Sequence, residues 1–330
     1  MSARRKPIRI AIFNNKGGVG KTTLTVNIAA ALAETRRRVL LVDSDPQCNM
    51  TSYLMDDEVI DDLLKRSDSA TGKTVWSALR PVVLAKGDPI NVGSYETSIP
   101  GMFILPGDIR LSEFEEELTT FWGESFQRKS RGFSGTAALS SLVTTMTADE
   151  SFDYVFYDTG PNIGPLNRVI LMDCDYFVVP AACDLFSVRA INTLGRTLVS
   201  WIGGCNTLVN IAPDDASLLQ GRPKFLGYIP QRFRVYAQDM ARKHSEYFSR
   251  LVQKLQPDLI APLRRISAEL APLSVSESNL GEVKDFATLV LHSQEQGVPL
   301  WRVRGFDAAA TSGAQEVFSN IASQIIKRAI

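Results

Sequence analysis

Cysteine and histidine are scarce in this chain. Its 330 residues include four cysteines, none of them in a Cys-x-x-Cys pair, and two histidines. These residues are Cys48, Cys174, Cys183, Cys205, His244 and His292. Structural zinc sites and disulfide frameworks need clustered cysteine or histidine side chains, so we expect neither. Reduced thiols in a cytoplasmic protein are the expectation that follows.

Long apolar runs and an excess of one charge are also missing. No stretch approaches the roughly 18 apolar residues that cross a bilayer, so the sequence predicts no membrane-spanning helix. The 36 Lys and Arg residues balance the 36 Asp and Glu residues. Contact with nucleic acid would therefore need a local basic patch, because the whole chain has no net attraction for phosphate.

Short apolar segments alternate with helix-like segments along the chain. The apolar segments predict strands at 8–13, 38–43, 102–105, 152–158, 175–179 and 225–229. Helices are predicted at 22–34, 111–118, 184–201 and 236–255. Strands that are apolar on both faces fit a central parallel sheet covered by helices. We therefore predict the α/β class, with a doubly wound, mostly parallel sheet and helices on both faces.

The alternation loosens between about residues 56 and 136. We interpret this segment as an elaboration on a single domain of residues 1–330, although the length also allows two domains. Within it, Gln127–Gly135 is rich in Gly, Ser and Arg, and we expect it to be a mobile loop.

A glycine-rich segment follows the first predicted strand. Its residues are Asn15, Lys16, Gly17, Gly18, Val19, Gly20, Lys21, Thr22 and Thr23. Glycines let successive backbone N–H groups turn toward phosphate oxygens, and a helix that starts near Thr22 adds the positive end of its dipole. Lys21 is expected to reach the β- and γ-phosphates, and the Thr22 hydroxyl to bind Mg²⁺. The segment predicts a P-loop, although Asn15 stands where the usual pattern has its first glycine.

Aspartates end two of the predicted strands. Asp43 and Asp158 each follow a continuous apolar run. Because the carboxyl ends of parallel strands meet at one edge of a sheet, both carboxylates are expected to converge on the P-loop and to bind Mg²⁺ through its waters. These acids argue against the alternative of a glycine turn without a ligand. Asp45 lies just beyond the second strand, where it is placed to orient an attacking water or, alternatively, to form a turn.

These segments together resemble a known family. KGGVGKTT (16–23), LLVDSDPQCN (40–49) and FDYVFYDTGPNIG (152–164) are similar, in residues and in order, to the motifs of the ParA/MinD family of deviant Walker-A ATPases. The similarity extends to 184–195 and 292–301. It implies the P-loop NTPase fold, ATP and Mg²⁺ as cofactors, ATP hydrolysis, and a homodimer that forms on ATP.

The resemblance also implies roles for single residues. Lys16 matches the signature lysine that reaches the partner subunit's phosphates, and Asp45 matches the hydrolytic aspartate. With Lys21, these are the candidate catalytic residues. Asp43 and Asp158 match the acids linked to Mg²⁺.

Partition members of the family bind DNA nonspecifically as ATP dimers and respond to an activating partner protein. In this chain, residues 232–265 hold eight basic side chains against three acidic ones. The candidate DNA contacts are Arg232, Arg234, Arg242, Lys243, Arg250, Arg264 and Arg265, with Lys254 beside them. The alternative is an ordinary solvated helix surface. Gln231, just before this region, is the candidate contact to the adenine base.

We predict an ATPase that partitions or positions DNA or another large cargo, in the cytoplasm and in association with the nucleoid. One alternative is a regulatory or assembly ATPase of the same fold that switches a partner protein. Another is a MinD-like factor that cycles on a membrane through the apolar stripe at 317–326. We favour packing of that stripe in the core, because only two cations adjoin it. A metal-cluster carrier is disfavoured, because the cysteines are not paired.

Overall fold

A single sheet runs through the molecule. The computed structural model of the chain describes residues 6–182, 184–232 and 238–329, and their side chains except those of 232 and 238–245. In these ranges the strands are β1 Ile8–Ile12, β2 Val39–Asp43, β3 Tyr95–Glu96, β4 Met102–Leu105, β5 Tyr154–Asp158, β6 Tyr176–Ala182, β7 Lys224–Arg232 and β8 Val283–Lys284. Their order in the sheet is β3-β4-β2-β5-β1-β6-β7-β8. All neighbours are parallel except β3 and β4.

Helices cover both faces of this sheet. They are α1 Lys21–Glu34, α2 Asn49–Leu54, α3 Asp57–Arg66, α4 Val75–Val83, α5 Leu111–Phe126, α6 Ser130–Thr136, α7 Ala138–Asp149, α8 Pro165–Asp173, α9 Leu185–Ile211, α10 Gln238–Leu255, α11 Ala261–Ile266, α12 Thr288–Glu295 and α13 Ala308–Arg328. The predicted α/β class and mostly parallel sheet are confirmed. No helix in the described part of the chain is both long and apolar enough to cross a membrane.

Each face of the sheet has its own apolar core. In β1, Ile10 and Ile12 enter one core, whereas Ala11 and the residue after the strand, Phe13, enter the other. Successive side chains of a strand point to opposite faces, so a strand covered on both faces is apolar throughout. This is why the strand segments could be recognised in the sequence.

The last helix belongs to the core on the α1 face. Phe318, Ile321 and Ile325 of α13 are completely buried there. The prediction that the apolar stripe packs in the core is therefore confirmed for these three residues.

The predicted elaboration at about 56–136 contains α3 to α6 and extends the sheet. β4 pairs in parallel with β2, from Val39 opposite Met102 to Val42 opposite Leu105. The short strand β3 then pairs with β4 in antiparallel orientation. This segment therefore contributes regular structure to the main sheet.

The prediction of a mobile loop at Gln127–Gly135 is wrong. Helix α6 occupies most of this segment and packs against α5. Gly135 lies against the ring of Phe121 and Gly132 against the backbone at Ser125, and a β-carbon at either glycine would overlap these atoms. The small residues that favoured a loop in the sequence instead let two helices approach closely.

Helix α9 is longer than predicted. It continues past Trp201 to Ile211 through two adjacent glycines. A β-carbon on Gly204 would stand 2.9 Å from the ring of Trp122. Here too the glycine serves close packing, and α5, which carries Trp122, also continues beyond its predicted end.

Candidate nucleotide-binding site

The turn between β1 and α1 has the backbone shape of a phosphate cradle. Gly18 and Gly20 have φ angles of 70° and 68°, in the left-handed region that residues with a β-carbon rarely adopt. Gly20 is the residue immediately before α1. The first N–H groups of that helix have no partner within it, so they are available to an anion together with the turn's own N–H groups.

A cavity of about 590 Å³ lies over this turn. Its walls come from four parts of the chain: the P-loop with the start of α1, the residues from Asp45 to Tyr53, the loop after β5, and Gln294 of α12. Three of the predicted site residues, Lys21, Thr22 and Asp45, line it together. Gln294 was not predicted as a site residue, although it lies in the segment 292–301 that shares the family resemblance.

Thr22 and Asp158 meet at the edge of this cavity. The Thr22 hydroxyl donates a hydrogen bond of 2.7 Å to Asp158 Oδ2. Asp158 is completely buried, and its Oδ1 has no hydrogen-bond partner among the described residues. Burial, and then the neighbouring charge of Asp43, raise the pKa of this carboxyl. A buried carboxylate oxygen without a partner, next to a hydroxyl, is a donor set that suits Mg²⁺.

The protein supplies few ligands for such an ion. The described residues contain no cluster of three or more His, Cys, Asp or Glu side chains that could hold a metal. Mg²⁺ ordinarily keeps several waters and binds one or two protein groups together with substrate phosphates. Thr22 and Asp158 fit that pattern, and the cavity beside them leaves room for phosphate.

Asp43 lies beside Asp158 but is turned toward α2. Its Oδ2 accepts hydrogen bonds from Thr51 N (2.8 Å) and Thr51 Oγ1 (2.6 Å). Burial raises the pKa of Asp43, and the Thr51 hydrogen bonds oppose the shift. Because Thr51 binds this carboxylate, the direct action of Asp43 is to fix the start of α2. A role toward Mg²⁺ through water stays a prediction.

Lys21 and Asp45 both line the cavity. Asp45 is 5% exposed, and its Oδ1 accepts a hydrogen bond of 3.0 Å from Gln47 N. Burial lowers the pKa of Lys21, while the charges of Asp158 and Asp45 oppose that effect. Lys21 is therefore a buried ammonium held among acids, which a phosphate chain would neutralise further.

Lys16 points the other way. Its ammonium is paired with Asp184, at the start of α9, and it is absent from the cavity wall. The two residues that follow Asp184 are exposed and apolar: Leu185 is 39% exposed and Phe186 69%. Of the two P-loop lysines, Lys21 thus lines the cavity and Lys16 pairs with Asp184 instead.

A second, smaller cavity of about 240 Å³ lies on the β7–β8 side of the P-loop and shares Gly18, Gly20 and Thr23 with the first. Gln231 lines it, and the Gln231 amide lies so close to the turn that a β-carbon on Gly20 would stand 3.1 Å from Nε2. Phe286, after β8, also lines it and was missed. No motif found in the sequence includes Phe286.

The predicted DNA contacts are not brought together as one described patch. The side chains of Arg232, Arg234, Arg242 and Lys243 lie outside the described residues. Of the others, Arg264 donates hydrogen bonds of 2.8 Å to the carbonyls of Ala268 and Ala271, and Lys254 is 3.7 Å from Asp258. Arg250 lies over the ring of Tyr247, and Arg265 is exposed. Arg264 therefore stabilises the end of α11.

Known proteins resemble this chain in sequence and fold. The family model described as an AAA domain matches residues 8–211. The chromosome partitioning protein ParA of Caulobacter vibrioides is 31% identical over 206 residues, which cover 62% of this chain and 67% of that protein. A crystal structure of a Corynebacterium diphtheriae protein superposes with a TM-score of 0.72 at 26% identity, covering 97% of this chain and 98% of that one.

A plasmid partition protein of Borrelia burgdorferi, solved with AMPPNP bound, has a TM-score of 0.60 and covers 98% of this chain and 99% of its own, at 18% identity. At that identity the likeness shows the fold alone. The family match includes the P-loop and Asp45, which line one cavity, and Asp158, which accepts a hydrogen bond from Thr22 of the cavity wall. The chain therefore belongs to the ParA/MinD family of deviant Walker-A P-loop ATPases, among the ParA-like partition ATPases.

Proposed function

We propose that this protein binds ATP with Mg²⁺, forms a homodimer on ATP, and hydrolyses ATP to release the dimer. The observation that carries the proposal is the opposite placement of the two P-loop lysines, Lys21 toward the cavity and Lys16 toward the surface. Lys16 would have to leave Asp184 to reach the cavity of its own subunit. We therefore infer that it is available to the phosphates of a second subunit. The exposed Leu185 and Phe186 beside it offer apolar surface for that subunit.

Each residue of the cavity has a definite task in this proposal. The P-loop N–H groups and Lys21 hold the β- and γ-phosphates. Thr22 and Asp158 hold Mg²⁺, which neutralises charge on the phosphate chain when it is bound. Asp45 orients the attacking water and accepts its hydrogen bond. The smaller cavity between Gln231 and Phe286 receives the base.

Lys16 of one subunit would then reach the phosphates bound by the other. A cation placed against the charge that develops on the γ-phosphate both strengthens the dimer and lowers the barrier to hydrolysis. Hydrolysis removes the phosphate that the lysine contacts, so the dimer separates. In this scheme ATP hydrolysis determines how long the dimer lasts.

We propose DNA, as a plasmid or chromosome, as the cargo bound by the ATP dimer, with a partner protein that activates hydrolysis and with cytoplasmic, nucleoid-associated localisation. The ParA relative named above supports this assignment. A partner-protein switch is the second candidate, because Arg264 and Lys254 are engaged within the chain rather than presented together as a basic surface.

The experiment that separates these functions measures binding to nonspecific duplex DNA with ATP, with ADP and without nucleotide. Asp45→Ala is used to block turnover, and a salt titration counts the phosphate contacts. Binding that requires ATP and weakens steeply with salt supports the partition function. An ATP dimer that binds no DNA in any state would reject DNA as the cargo and leave the partner-protein switch.

A further inference from the structure

Lys16 is held in its outward position by contacts at the start of α9. Its ammonium pairs with the Asp184 carboxylate and lies 3.5 Å from Ser187 Oγ. Burial alone would raise the pKa of Asp184, but the hydrogen bonds from Lys16 and from the Ser187 N–H outweigh it and lower that pKa. The charged carboxylate is thus the state that this contact favours.

Both sides of the contact are anchored to strand β6. Lys16 N donates to Asn14 Oδ1 at 3.0 Å, and Asn14 Nδ2 donates to the carbonyl of Pro180 in β6 at 2.7 Å. Asp184 follows the same strand by two residues and accepts a hydrogen bond of 2.9 Å from Ser187 N as the cap of α9. The backbones that carry the lysine and the carboxylate are therefore held together, and only the long lysine side chain needs to move for the pair to separate.

We propose that Asp184 is a positioning residue. It holds Lys16 within its own subunit, in a contact that is called the latch below, and it competes with the partner subunit's phosphates for the ammonium. This inference rests on the proposed ATP dimer, and it adds that the Lys16–Asp184 contact sets the strength of that dimer. Side-chain exposures of 28% for Lys16 and 34% for Asp184 make the pair weak enough for exchange. A bound triphosphate carries more negative charge than one carboxylate, so it attracts the Lys16 ammonium away from Asp184. After hydrolysis the lysine returns to Asp184.

The competing explanation is that Asp184 only caps helix α9. One substitution distinguishes this role from the holding of Lys16. Asn caps a helix about as well as Asp does, so Asp184→Asn keeps the cap and removes the charge that holds Lys16. Asp307→Asn is the matched control. Asp307 caps α13 by accepting a hydrogen bond of 2.8 Å from Ala310 N, and no ion pair of Asp307 occurs in the described part of the chain.

The test measures the dimer dissociation constant with ATP by analytical ultracentrifugation, in the full chain carrying Asp45→Ala to block turnover. We expect Asp184→Asn to tighten the dimer by roughly two- to fivefold for each lysine released. Asp307→Asn should leave it unchanged. In a background that also carries Lys16→Ala, Asp184→Asn should have no effect, because the latch then has nothing to hold.

A dimer of Asp184→Asn that is equal to or weaker than its parent would overturn the latch while leaving the proposed ATP dimer intact. A parent that binds a fluorescent ATP analogue but never dimerises would overturn the proposed dimer, and the latch with it. If Asp184→Asn loses its thermal unfolding transition, Asp184→Ser, which also caps helices, replaces it in the same measurement.

Discussion

Asp43 and Asp158 stand opposite each other at the ends of neighbouring strands β2 and β5, in register and completely buried. Their carboxylates have different tasks. Asp43 is satisfied by Thr51, whereas Asp158 keeps one oxygen without a partner among the described residues. The negative charge of one buried carboxylate disfavours ionisation of the other, and a bound Mg²⁺ would reduce this repulsion.

Metal-free stability is expected to depend on this pair of acids. Burial raises the pKa of both carboxyls above the ordinary value of 3.8, and the charge of Asp43 raises the pKa of Asp158 further. The folded chain then holds protons that the unfolded chain has lost, so their contribution to stability is present at low pH and disappears as the pH rises through the raised pKa values. We expect Asp158→Asn to flatten the fall in Tm between about pH 5 and about pH 8.5. Parallel Tm curves for the two proteins would contradict this.

Binding of Mg²⁺ with nucleotide should release protons at neutral pH, because the ion needs the ionised carboxylate. Calorimetric titrations in two buffers that differ in ionisation enthalpy would measure this release. We expect a smaller release in Asp158→Asn. An identical release in the variant would show that Asp158 keeps its proton state when the ion binds.

The two P-loop lysines should fail in different ways. Lys21→Ala removes the buried ammonium beside the phosphates and should weaken ATP binding by at least about tenfold. Lys16→Ala removes no group from the subunit's own cavity, so binding to the monomer should stay within about twofold of wild type. Its turnover should fall by on the order of 10³-fold, as for loss of an arginine finger. Fluorescent nucleotide titration and phosphate release measure these quantities, and wild-type turnover in Lys16→Ala would reject its role in the partner subunit.

Asp45→Ala should trap the ATP dimer. Loss of the group that orients water should lower turnover by about 10²- to 10⁴-fold, while Lys21 and Thr22 continue to hold nucleotide. Single-turnover hydrolysis and ultracentrifugation of the same sample give the two results. A variant that still turns over ATP at the wild-type rate would mean that another group orients the water.

A buried ion pair ties the P-loop strand to α8, and its loss should destabilise the fold. Arg9 of β1 donates to both oxygens of Asp173 at 2.6 and 2.7 Å, and the Tyr157 hydroxyl donates to the same carboxylate at 2.6 Å. Asp173→Ala leaves the buried Arg9 unpaired and should cost about 3–5 kcal/mol of unfolding free energy in urea titration. Asp153→Ala, which breaks the more exposed pair with Arg37, is the control and should cost far less. Equal losses in the two variants would contradict this.

Predictions from the sequence succeeded where the pattern is local. A strand covered on both faces is apolar at every residue, so β2 and β5 were visible as continuous runs. The predictions failed where glycines allow close packing of helices. Gly132, Gly135 and Gly204 look like loop residues in the sequence, yet each allows another part of the chain to approach its helix.

The sequence by itself determined the α/β class, the P-loop and the acids at the ends of β2 and β5, because glycine geometry and strand periodicity act over a few residues. Only the tertiary structure decided that Lys16 pairs with Asp184 and that Asp43 is bound to Thr51. These outcomes depend on contacts between residues that are brought together only by folding. No local pattern contains them.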